Sequence, residues 1–200
     1  MTASDVRNRL LDAVSRASGA SSDYDLNPNV VLPAGRVLRP AGVLVPFVVE
    51  DGEVRVVLTK RSSALKHHPG QVAFPGGKVD AGDDGPVGAA LREAEEEVGL
   101  PRESVEVLGE LPSHETVTGF RVTPVLGWIE RPFIPRPEPG EVEEVFTVPF
   151  DHLADPSRYT IQSRRWRGMH RFYYALPFGP YYVWGATARM LRGLCERLAQ

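Results

Sequence analysis

Arg92-Glu93-Ala94-Glu95-Glu96-Glu97-Val98-Gly99-Leu100 is the stretch on which the reading of this chain turns. Wound as an α-helix, each residue advances about 100° around the axis. Glu93, Glu96 and Glu97 then fall at i, i+3 and i+4 on one face, and Leu91, Ala94 and Val98 form an apolar stripe on another. The pattern predicts a helix over 87–98, with Gly99 at its C-cap and Pro101 just beyond. Carboxylates crowded on one face repel, by roughly a few tenths of a kcal/mol per exposed pair. Divalent cations remove that cost and prefer oxygen ligands, so Mg²⁺ or Mn²⁺ suits this face. A solvated acidic surface is the plainer use of such residues, and Glu95 is assigned to it.

Just upstream lies Phe74-Pro75-Gly76-Gly77-Lys78-Val79-Asp80. Adjacent glycines let backbone approach a ligand closely. The Gly77 carbonyl can then serve as a metal ligand, and exposed amides such as that of Gly76 can meet phosphate oxygens. Further out, Gly42–Val49 and Val54–Thr59 are β-rich runs joined through Asp51-Gly52, a hairpin signal. Strands are also expected at 105–110, 122–129, 142–148, 171–176 and 181–184. Amphipathic helices are expected over about 4–18 (Val6, Leu10, Leu11, Val14) and 187–198 (Leu191, Leu194, Cys195, Leu198). Arg131–Gly140, with four prolines, reads as a rigid excursion within a single domain spanning 1–200. Strands and helices mix without strict alternation, which favours an α/β fold with a mixed sheet between helices.

Composition narrows the function classes. The chain has 200 residues, 24% charged, with a formal net charge of -3, so it is neither a general nucleic-acid binder nor a membrane-surface binder. The N-terminal segment is charged and lacks an apolar signal core. The longest apolar run is too short to cross a bilayer. The single cysteine, Cys195, reads as a small core residue, and its solitude fits a reducing, cytoplasmic setting.

From Gly77 to Leu100 the sequence resembles the Nudix box, a glycine loop followed by an Arg-Glu-…-Glu-Glu-…-Gly helix. Asp83 stands where the loop acid is usually Glu, and one extra residue separates it from Arg92; both features are similar to the coenzyme A diphosphatase branch. Leu58-Thr59-Lys60-Arg61-Ser62, Gly70, Phe74–Gly77 and Trp184-Gly185-Ala186-Thr187-Ala188-Arg189 resemble the same branch, with Lys66 where that signature usually has Arg. The resemblance implies an α/β/α sandwich with extra N- and C-terminal helices. It implies metal-dependent hydrolysis of a nucleoside diphosphate, with coenzyme A or a relative as the small-molecule substrate. ADP-ribose, a dinucleoside polyphosphate or an oxidised nucleotide is the alternative, and a catalytically silent nucleotide-binding module is a further one.

On this reading Glu93, Glu97, Glu96 and the Gly77 carbonyl hold Mg²⁺ or Mn²⁺, Glu96 or Glu97 serves as base, and Arg92 orients the glutamates by pairing with Glu96. Lys60, Arg61, Lys66 and Gly76 are candidates for substrate phosphates, with a structural ion pair as the other use of Arg61. Glu141 or Glu144 is a candidate distal carboxylate, the latter also readable as a surface acid. His114 and Glu115 are placed on a loop lining the cleft, whereas His67 and His68 read as solvated. The aromatics of the tail (Trp166, Phe172, Tyr173, Tyr174, Phe178, Tyr181, Tyr182, Trp184) serve core packing, a base or pantetheine contact, or a homodimer interface.

Overall fold

The computed structural model describes residues 1–166 and 168–200. In chain order the elements are α1 (Ala3–Ser15), β1 (Ser21–Ser22), β2 (Arg39–Glu50), β3 (Glu53–Arg61), β4 (Val72–Ala73), β5 (Gly76–Lys78) and α2 (Gly85–Val98). There follow β6 (Glu106–Glu110), β7 (His114–Glu115), β8 (Phe120–Ile129), β9 (Val142–Pro149) and α3 (Phe150–Leu153). The chain ends with β10 (Thr160–Trp166), β11 (Met169–Phe178), β12 (Tyr181–Trp184) and α4 (Ala186–Leu198).

Asp51 and Gly52 both take positive φ, 49° and 80°, the turn whose twist matches paired strands. It folds β3 back on β2, but only Phe47–Glu50 and Glu53–Val56 pair. Beyond that the two strands part. The N-terminal half of β2 pairs with β5, Ala41–Val43 against Gly76–Lys78, and the far end of β3 pairs with β4, Lys60 against Val72. Residues 72–78 therefore fill a fork between two diverging strands. The outer edges are covered by β8, parallel to β2 over ten positions, and by β9, antiparallel to β3. Nine strands form this mixed sheet among the described residues; β10–β12 form a separate antiparallel sheet.

Period-two alternation sorts β2 between two cores. Leu44 and Val48 face α2, packing with Val57, Val125 and Ile129 against Ala90, Ala94, Val98 and Leu100. Val45 and Phe47 face the other way, toward Val6 and Leu10 of α1 and Leu191 and Leu194 of α4. This is a helix–sheet–helix sandwich. Gly42 is where α2 comes closest, since any Cβ there would run into the Pro86 carbonyl.

Three expectations need correction. The first helix stops at Ser15 rather than near 18, because Arg16 turns extended and its guanidinium donates to the Arg197 carbonyl. The helix bearing the glutamates begins at Gly85, two residues early, with Pro86 in its first turn. β10 was not anticipated at all: residues 160–165 are exposed, so no buried face imposes an apolar alternation, and pairing with β11 alone defines the strand. No helix among the described residues is long and apolar enough to cross a membrane.

Candidate active site

The site is assembled where α2 meets the filled fork. Hydrogen bonds fasten the glycine bend to β2, from Leu44 N to the Pro75 carbonyl (2.9 Å) and from Val79 N to the Pro40 carbonyl (3.0 Å). The apolar stripe of α2 fixes the helix's rotation, so the opposite face is presented to that bend. A Cβ at Gly77 would overlap the Glu93 carboxylate, so any larger residue there would push that side chain aside. Gly76 N donates to Glu97 Oε2 at 3.2 Å.

Glu93 and Glu97 meet the bend, and the three glutamates differ in environment. Glu97 is 4% exposed, and burial, with Glu93 beside it, pushes its carboxyl up to about 8. Glu93 is half-buried and also raised, again chiefly by burial. Glu96 lies at the rim, its side chain 60% exposed. Glu95 stands off this face and pairs with Arg102 at 2.8 Å, a surface contact as expected.

Arg92 organises the group. Its Nε and Nη2 donate to the two oxygens of Asp83 at 2.9 and 3.0 Å, a bidentate clamp. Its Nη1 donates to Glu93 (2.9 Å) and to Glu96 (3.1 Å), and Nη2 also reaches the Lys78 carbonyl (3.2 Å). The pairing with Glu96 was anticipated; the larger partner, Asp83, was not. The guanidinium holds the Asp83 carboxyl down at about 2, so the loop acid is a fixed anion that locks the loop to the helix.

The Pro-rich stretch 131–140 closes the far end of α2. Arg136 N and Glu138 N donate to the carbonyls of Val98 and Glu97, at 2.8 and 2.9 Å, satisfying helix-end acceptors. Gly99 ends the helix at φ 70°. The chain then returns past Glu141, whose carbonyl accepts from Ser62 N at 2.8 Å. Glu141 raises the carboxyls of both Glu93 and Glu97, whereas Arg61 lowers that of Glu97. Glu141 therefore acts on both carboxyls and Arg61 on Glu97, and the Arg61 Nε is buried with no hydrogen-bond partner.

Other sequence candidates lie elsewhere. Glu144 accepts from the Tyr181 hydroxyl, and that ring stacks on Phe146 at 3.6 Å. Lys60 is committed to Glu143 at 2.6 Å. Lys66, His67 and His68 sit exposed on the loop between β3 and β4. His114 does not line a cleft: fully buried on β7, it meets Ser21 at 2.9 Å and Asp23 at 3.1 Å, tying the N-terminal lead-in to the sheet. Glu115 pairs with Arg36 at 2.5 Å. Cys195 is buried and contacts the Ala154 carbonyl. The Trp166 side chain lies outside the described residues. Two surface recesses, one beside Asp25 and Arg189 and one beside Leu111 and Arg197, are lined by other residues than Glu93, Glu96 and Glu97.

A divalent cation fits the glutamate face by chemistry. Every donor around the bend is oxygen, Glu97 has a single backbone partner, and the Glu93 carboxylate lies against Gly77. Among the described residues no three His, Cys, Asp or Glu side chains are gathered at ligating distance, and Arg92 bonds both Glu93 and Glu96. Glu96, largely exposed, is unconstrained by packing.

Comparison with known proteins places this geometry in a family. The NUDIX domain model matches residues 38–172. A Cronobacter sakazakii protein described as "Uncharacterized Nudix hydrolase NudL" is 43% identical over 162 residues, 81% of this chain and 84% of that protein. One of the same description from Citrobacter koseri is 45% identical over 161 residues, 80% and 83% of the two chains. Among solved structures, the NUDIX domain of Shewanella oneidensis NrtR complexed with ADP ribose shares the fold at TM-score 0.52 and 16% identity, covering 86% of this chain and 95% of that one. The MutT protein from Methanosarcina mazei does so at TM-score 0.51 and 19% identity, covering 84% and 96%.

Proposed function

The chain belongs to the Nudix hydrolase family, and from that premise we propose that it hydrolyses the diphosphate linkage of coenzyme A or a derivative, giving adenosine 3′,5′-bisphosphate and 4′-phosphopantetheine. As a Nudix hydrolase it acts on nucleoside diphosphate derivatives. One observation carries the narrower reading. The segments that resemble the coenzyme A branch, 58–62, Gly70 and 74–77, meet at the fork beside Glu97: Gly70 N bonds the Arg61 carbonyl at 3.1 Å, and Gly76 N bonds the Glu97 carboxylate.

Nudix hydrolases generally use divalent ions such as Mg²⁺ or Mn²⁺. In this assignment Glu93, Glu97, Glu96 and the Gly77 carbonyl would hold the ions, which would neutralise charge on the diphosphate and lower the pKa of water. Arg92, fixed by Asp83, keeps the Glu93 and Glu96 carboxylates turned toward the bend. Glu96 or Glu97 takes the proton from the attacking water, with Glu141 as the distal carboxylate. Arg61, whose Nε has no protein partner, and the Gly76 amide are offered to phosphate oxygens; Lys66 lies on the loop beside them. The whole of residues 1–200 is assigned to one catalytic domain, in a cytoplasmic setting.

The test is to incubate the protein with coenzyme A, ADP-ribose and a dinucleoside tetraphosphate, each with Mg²⁺ or Mn²⁺, and to identify products by mass in ¹⁸O-labelled water. Coenzyme A should be the best substrate, cleaved to the two products above. A preference of more than about ten-fold for ADP-ribose, equivalent to ~1.4 kcal/mol in transition-state binding, would remove the coenzyme A assignment.

A further inference from the structure

The β10–β12 sheet presents two unlike faces. Leu176 and Val183 point into the core and are 1% and 0% exposed. The register, Gln162 with Tyr173 and Ala175 with Trp184, sets Arg164, Tyr173, Trp184 and Tyr182 together on the opposite face. There the Arg164 guanidinium lies 4.6 Å from the Trp184 ring centre, and Tyr173 meets the same indole at 5.1 Å, tilted by 59°. Tyr182 is 44% exposed. No carboxylate among the described residues lies within ion-pair distance of Arg164, which is exposed. Its charge is stacked but not neutralised, and it leaves the planar fork of N–H donors for another acceptor.

This face adjoins the fork. Thr187, just past β12, donates to the Val72 carbonyl at 3.2 Å, and the Gln71 amide lies 3.8 Å from the Cβ position of Gly185. From Gln71 to Gly76 is five residues, a span of at most about 17 Å. Trp184, which precedes Gly185, is therefore the end of the layer nearest the bend at Gly76–Gly77.

We propose that this layer is the nucleoside-recognition subsite, in which aromatic rings take a purine base by stacking and Arg164 takes a phosphate borne on the ribose. A cluster of aromatic rings with an unneutralised guanidinium stacked over one of them is the chemistry that fits a phosphorylated nucleoside. The assignment rests on the coenzyme A reading and supplies its selectivity: the ribose phosphate separates coenzyme A from dephospho-coenzyme A and from ADP-ribose. Arg164 touches neither the glutamates nor the water, so its contribution belongs in KM.

The experiment compares wild type, Arg164→Glu and Arg164→Lys. In the absence of metal, calorimetry measures binding of adenosine 3′,5′-bisphosphate and of adenosine 5′-monophosphate; with metal, kinetics measure coenzyme A and dephospho-coenzyme A. Wild type should bind the bisphosphate roughly ten-fold more tightly, as one charge-assisted contact gives. Arg164→Glu should erase that difference and raise KM for coenzyme A alone, with kcat unchanged; Arg164→Lys should recover part of it. Equal discrimination by all three proteins would overturn the subsite. Loss of coenzyme A turnover by the wild type would instead sink the substrate assignment, and the metal-free binding ratios would still judge Arg164 on their own.

Discussion

Two amphipathic helices on opposite sides of the sheet each bury a charged side chain near the C-terminal end, and they treat it in contrary ways. On α4, Arg197 is 5% exposed. Its guanidinium donates to the carbonyls of Ala13 and Arg16 and to the Ser18 hydroxyl. On α2, Glu97 is 4% exposed and has one backbone amide. Burial is expensive for both charges. At Arg197 three acceptors offset part of the cost, although burial still lowers the guanidinium's pKa, and the result is a clasp joining the first and last helices. At Glu97 the cost stands, visible as a carboxyl raised to about 8. An under-satisfied buried charge beside a glycine bend is what a site awaiting a cation looks like; a satisfied one is architecture.

The contrast can be broken by exchanging the expected consequences. Glu97→Gln should lower kcat by roughly three orders of magnitude, the scale of a lost ligand or base, while thermal unfolding shows a melting temperature equal to or above wild type. A large fall in melting temperature would make Glu97 architectural after all. Arg197→Met should do the reverse. Stranding the carbonyls of Ala13 and Arg16 should cost about 3 kcal/mol of stability, read by denaturant titration, with kcat per folded molecule unchanged.

Smaller effects sharpen the picture on the α2 side. Arg92→Lys keeps the charge but loses the bidentate clamp on Asp83, and activity should fall by roughly ten- to a hundred-fold, the scale seen for residues that orient metal ligands. An unchanged kcat at saturating metal would show the clamp to be dispensable. Smallest of all, Glu144→Gln should alter kcat by less than about two-fold, since that carboxylate is engaged with the Tyr181 hydroxyl. Glu141→Gln in the same assay serves as its counterpart and should reduce kcat measurably.

Much of this was legible in the residues because local periodicity wrote it. The i, i+3, i+4 spacing put Glu93, Glu96 and Glu97 on one face, and the Asp51-Gly52 pair fixed the hairpin. What escaped was non-local. That Asp83 takes the larger share of Arg92 depends on how the 79–84 loop folds back, which spacing along the helix does not encode. The fate of Lys60 was settled by Glu143, 83 positions away on β9. His114 looked like a loop histidine because its partners, Ser21 and Asp23, sit in a lead-in without apolar pattern. The separate β10–β12 sheet was half hidden for the same reason, as an exposed strand carries no burial signal.

The claim beneath all of this is that Glu97 is held under-satisfied in order to receive a divalent ion. The direct measurement is a Mn²⁺ titration of wild type and Glu97→Gln, followed by calorimetry and electron paramagnetic resonance, with circular dichroism confirming that both are folded. The account predicts that wild type binds Mn²⁺ at a defined site and that the variant loses at least about ten-fold in affinity, the lower bound for removing a ligand-sphere group. Equal Mn²⁺ affinity in the two folded proteins would contradict it.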